Sequence, residues 1–113
     1  MKAEYLRRLE VLLEVAYPTL ATRHRIDFKS CFGAVALYVD GNIFVSCGRF
    51  GVALRLPPKT LAELFKEAEV SPLKYFPNGH VKKEYAVIPE RIIGDQTRLK
   101  SLLVKSVRYA SSA

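Results

Sequence analysis

The stretch Cys31-Phe32-Gly33-Ala34-Val35-Ala36-Leu37-Tyr38-Val39-Asp40-Gly41-Asn42-Ile43-Phe44-Val45-Ser46-Cys47 decides the class of fold. Two apolar runs flank Asp40-Gly41, a dipeptide suited to the positive φ angles of a tight hairpin turn. Val35, Leu37 and Val39 alternate with Ala34, Ala36 and Tyr38, which makes one face bulky and the other small. The spacing predicts strands over 31–39 and 43–47. The small alanines predict that something packs closely over the second face.

Outward from this hairpin, Gly48 to Gly51 reads as a second turn and Val52 to Leu56 as a third strand ended by Pro57-Pro58. Upstream, Leu6, Leu9, Leu12, Leu13 and Ala16 recur at helical spacing, which predicts a helix over 3–16 stopped by Pro18. The polar run Thr19 to Ser30, with Arg23, His24, Arg25 and Lys29, reads as a connection. Downstream, Thr60 and Glu63 form a capping-box pattern before Leu61, Leu64 and Phe65, a short second helix. Strands are expected at 73–76 and 84–88, with the turn between them starting at Pro77-Asn78-Gly79. Asp95 is suited to cap a last helix over 96–109, with Leu99, Leu102, Leu103, Val107 and Ala110 buried. The order α-β-β-β-α-β-β-α, joined by hairpins, predicts an α+β fold: an antiparallel sheet with flanking helices. Such a meander has edges that could pair with a second copy.

The 113 residues suit one domain, and a hydrophobic content of 50% is ample for a core. The longest apolar run is broken by Asp40, Gly41 and Asn42, and the charged N-terminus is unlike a signal peptide. A cytoplasmic protein without a membrane segment is expected. Cys31 and Cys47 are too few for a disulfide scaffold and read as buried thiols. With no CxxC pair and no ligand-like spacing of His24 and His80, no metal and no cofactor is expected.

The net charge of +7 gathers late, since residues 71–113 carry eight basic and three acidic side chains. A basic face of this kind attracts nucleic acid or an acidic protein, although solvated surface is its plainer meaning. The candidate contact residues are Arg49, Lys82, Lys83, Arg98, Lys105 and Arg108. In Lys74-Tyr75-Phe76 and Lys82-Lys83-Glu84-Tyr85, cations beside rings suit base stacking as well as a half-buried strand. Gly48-Arg49-Phe50-Gly51 lacks the ending of a phosphate loop. Neither histidine has a nucleophile placed by sequence for it to activate, so no enzyme is expected.

The run 31–44 resembles the opening of the TfoX/Sxy competence-regulator N-terminal domain family. The likeness continues through Val52-Ala53-Leu54-Arg55-Leu56-Pro57, Leu73-Lys74-Tyr75-Phe76 and Val81-Lys82-Lys83-Glu84-Tyr85-Ala86-Val87-Ile88-Pro89-Glu90, and closes with 95–110. It depart from the family pattern at Ala34 and Glu84, where glycines are usual. The resemblance implies one TfoX N-terminal-like domain over 1–113, a secretion-chaperone-like fold and frequent homodimers. Competence regulators of this family carry a second, C-terminal domain, which is not expected here, and promote transcription of DNA-uptake genes with a partner activator. The expected role is therefore a non-enzymatic binding or regulatory module acting through protein contacts. Direct nucleic-acid binding and a chaperone-like homodimeric adaptor are the alternatives.

Overall fold

Alternating apolar runs separated by glycine turns produce an antiparallel sheet, and amphipathic helices cover one of its faces. The computed structural model describes residues 2–76 and 78–112, with the side chains of Lys2 and Cys31 left aside. The elements are α1 (Lys2–Ala16), α2 (Leu20–Arg23), β1 (Ile26–Cys31), β2 (Ala34–Val39), β3 (Asn42–Gly48) and β4 (Gly51–Arg55). They continue with α3 (Pro58–Leu64), β5 (Ser71–Leu73), β6 (Lys82–Ile88), α4 (Glu90–Ile93) and α5 (Gln96–Ser111). The strands run antiparallel in the order β1-β2-β3-β4-β6-β5. An α+β fold is what the periodicity implied.

The bulky face carries the main core. Val35, Leu37, Val39, Val45, Cys47, Val52, Leu54, Ala86 and Ile88 meet Leu9, Leu12 and Ala16 of α1 and Leu99, Leu102, Leu103 and Val107 of α5. Burying one such Leu or Val contributes about 1.5–3 kcal/mol. Asp95 caps α5 by accepting from the Arg98 amide at 3.2 Å, as its sequence position suggested. Burial of Cys47 pushes its thiol pKa up, against a smaller opposing pull from Arg8, and keeps the thiol neutral. The Cys31 side chain, also read as buried, lies outside the described residues, as does Pro77.

Several boundaries differ from the sequence reading. The Thr19 to Ser30 connection folds as α2 and β1. Because β1 is an edge strand, it needs few buried residues, and Phe28 remains 60% exposed. The run 31–39 is two strands, reversing at Phe32-Gly33 with φ of +49° and +81°. A ring at positive φ is rare, so Phe32-Gly33 marks this turn only weakly. Helix α3 starts on Pro58, not at a Thr60 cap. No side chain caps it, and Pro at the first helical position gives up only an amide that has no helical partner. Glu67 and Glu69 follow its end. The strand expected at 73–76 is Ser71–Leu73 instead, an edge strand that tolerates Pro72.

The small face is covered too. Ala34, Ala36, Ala53 and Leu73 are at most 2% exposed, yet none belongs to the main core. Chain leaving β5 crosses toward the turns at 32–33 and 49–50, where Tyr75 meets the rings of Phe32 and Phe50. Close approach makes Gly48 necessary. A Cβ there would lie 2.8 Å from the Phe50 ring and 2.9 Å from the Ala34 methyl.

Candidate functional site

Three turns converge at one end of the sheet. Phe32-Gly33 joins β1 to β2, Arg49-Phe50 joins β3 to β4, and Lys74-Tyr75-Phe76 follows β5. Together with Ala34 they line a recess of about 600 Å³. The Phe32 and Tyr75 ring centroids are 5.3 Å apart, Phe32 and Phe76 5.6 Å, and Phe50 and Tyr75 5.6 Å. Such tilted and edge-on pairs suit the ring quadrupoles. Phe32 is nevertheless 64% exposed and Phe76 54% exposed. Among the described residues, both charged side chains lining the recess, Arg49 and Lys74, are cationic.

A second groove of about 620 Å³ runs along the outer side of α1 against α4 and the start of α5. Its floor is Val11, Leu12, Val15, Ile93 and Leu99, and its rim includes Glu4, Arg7, Arg8 and Glu90. Arg8 donates to Glu90 at 2.5 Å, which ties α1 to α4.

The six cations singled out by sequence separate. Arg49 is exposed in the aromatic recess. Arg98 forms a two-pronged ion pair with Glu67, which also accepts from Arg91 at 3.4 Å. Arg98, foremost, holds the Glu67 carboxyl below its usual range. This pairing pins the segment after α3 to α4 and α5 and removes Arg98 from the set of free cations. Lys105 lines a shallow recess with Arg98, but Glu63 and Glu67 share it and offset the charge. Lys82, Lys83 and Arg108 are exposed on β6 and α5. Glu84, one of the two departures from the family pattern, accepts from Arg55 Nε at 2.8 Å. The Arg55 guanidinium also lies 5.2 Å from the Tyr109 ring centroid.

Sequence reasoning flagged Lys74, Tyr75 and Phe76 but missed Phe32 and Phe50. Phe32 was read as a strand residue, and Phe50 as part of a plain turn. A phenylalanine immediately before glycine, as in Phe32-Gly33 and Phe50-Gly51, is the available signal, and it is a weak one.

His24 has a structural duty. Its Nδ1 lies 2.7 Å from Asp40 Oδ2, while Asp40 Oδ1 accepts from the Arg25 amide at 3.0 Å. These contacts, His24 first, hold the Asp40 carboxyl below its usual range. Its contribution to stability is therefore complete above the unfolded value of about 3.9 and is lost as pH falls through the folded pKa. Asp40→Asn retains a residue that accepts the φ of +49° found here. The variant should be less stable than wild type at neutral pH, with the gap closing below about pH 4. Urea denaturation across a pH series measures this, and parallel curves at every pH would refute it.

Among the described residues, no group of three or more His, Cys, Asp or Glu side chains is placed to hold a metal ion. None of the described helices is long and apolar enough to cross a membrane. The model of the TfoX N-terminal domain matches residues 19–110, from the residue before α2 to the last turn of α5. The chain belongs to the TfoX N-terminal domain family. That family is linked to competence regulation. No match was found among curated proteins. Within this TfoX N-terminal domain, the aromatic recess lies inside the matched residues, while α1 precedes them.

Proposed function

We propose that this TfoX N-terminal domain is a non-enzymatic regulatory module that acts by protein contact, as an accessory to transcriptional control of the competence type. Family membership supports the setting. The groove beside α1 carries the reading of mechanism. Val11 and Val15, one helical turn apart, are 42% and 52% exposed on its floor. Apolar floor and charged rim together complement an amphipathic helix of a partner protein, with the rim pairing its polar flanks. From Glu4 to Val15 the groove follows about three helical turns, roughly 17 Å, enough for anchors at i, i+4 and i+7.

Exposed valines can be replaced with little effect on the fold, because surface changes usually stay within about 0.5 kcal/mol. The double variant Val11→Asp/Val15→Asp should fold with an unchanged melting temperature. In the source cell it should lower transcripts of DNA-uptake genes as far as loss of the whole gene does. Transcript levels equal to wild type with the variant would refute the reading. If sedimentation shows that the variant turns a dimer into a monomer, the occupant is a second copy of the chain instead of a partner helix.

A further inference from the structure

We infer that the aromatic recess at the turn end of the sheet is a binding site for single-stranded nucleic acid, distinct from the α1 groove. Bases would stack on Phe32 and Phe76, and Arg49 and Lys74 would hold the flanking phosphates.

The composition of the recess points to this ligand. Among the described residues, its large apolar side chains are all rings, Phe32, Phe50, Tyr75 and Phe76, and its charged ones are both cations. Flat π surfaces beside cations without carboxylates match a chain of bases joined by phosphates. Phe50 and Tyr75 are half-buried and form the floor, while Phe32 and Phe76 keep more than half of their surface open. A ring at each outer position offers a platform for successive bases.

Phe32 gives independent support. It holds φ +49° in a two-residue turn before Gly33, a position where Asn or Asp would be unstrained. A bulky aromatic kept in that conformation and largely exposed is poorly explained by folding alone. Strain of this kind marks sites where the side chain itself is used.

The turn also supplies a variant that tests the ring without endangering the fold. Phe32→Asn creates the preferred Asn-Gly turn and deletes only the aromatic surface. The probe is a labelled oligothymidylate of about twelve nucleotides, within the usual length of such sites, followed by fluorescence anisotropy. The full chain should bind it at least tenfold more tightly than a duplex of the same length. Log affinity should fall with log salt with a slope of about −1.4, from two phosphate contacts. Phe32→Asn and Phe76→Ala should each weaken binding at least tenfold, while Lys105→Ala/Arg108→Ala changes it less than twofold. Equal affinity for duplex, binding unaffected by either ring variant, or no saturable binding at low salt would each overturn the inference. So would a change in sedimentation on loss of the rings with strand binding intact, since the cluster would then be an interface between copies.

Discussion

Phe44→Ala lowers the unfolding free energy by about 3–5 kcal/mol, among the larger losses a single side chain produces. The cause is a bulge. Leu37 pairs with Val45 and Tyr38 with Ile43, so Phe44 is an extra residue in β3 with no counterpart in β2. In a regular strand, Phe44 and Val45 would point to opposite faces, yet both are fully buried in the main core. The same bulge turns the Phe44 carbonyl toward α5, where it accepts from the buried Ser106 hydroxyl at 2.7 Å. Truncating the ring leaves a cavity where β3 and α5 meet, in a domain whose total stability is typically about 5–15 kcal/mol. Urea denaturation with an unchanged slope measures the loss. A decrease under about 1 kcal/mol would mean that the ring is not packed as described.

The second large effect belongs to the opposite face. Leu73→Ala should cost about 2–5 kcal/mol, although Leu73 ends a three-residue edge strand and stands outside the main core. Its neighbours Ser71 and Pro72 are exposed, whereas Leu73 is fully buried. It anchors the segment that carries Tyr75 and Phe76 over the small face of the sheet. Loss of the anchor should loosen that segment as well as lower stability, so amide exchange at 74–76 should quicken more than in α5. A loss of less than 0.5 kcal/mol, typical of an exposed edge position, would show that the small face lacks a packed layer of its own.

Both results bear on how much the residues reveal before they are folded. Helices α1 and α5 are legible because their leucines repeat at 3.6 residues over three or more turns, and local spacing specifies which side is buried. The Asp40-Gly41 hairpin is legible because a turn at positive φ needs those residue types. Strand β1 escapes notice because an edge strand with exposed Phe28 and Lys29 carries little of the alternation that burial imposes. Of the six cations proposed as a contact surface, Arg49 alone lines the recess with the exposed rings. Arg98 is engaged by Glu67 from 31 positions earlier, a partnership no local pattern announces.

Composition and periodicity alone determined the α+β class, the buried stripes and the turn at 40–41, since each depends on neighbours within a few residues. The tertiary structure decided where the chain crosses the small face, which cations remain free and which rings reach solvent. Those outcomes rest on contacts between β1–β2, β3–β4 and the chain after β5, segments separated by up to some forty residues. Long-range packing sets such contacts, and it leaves only a faint trace in the local sequence.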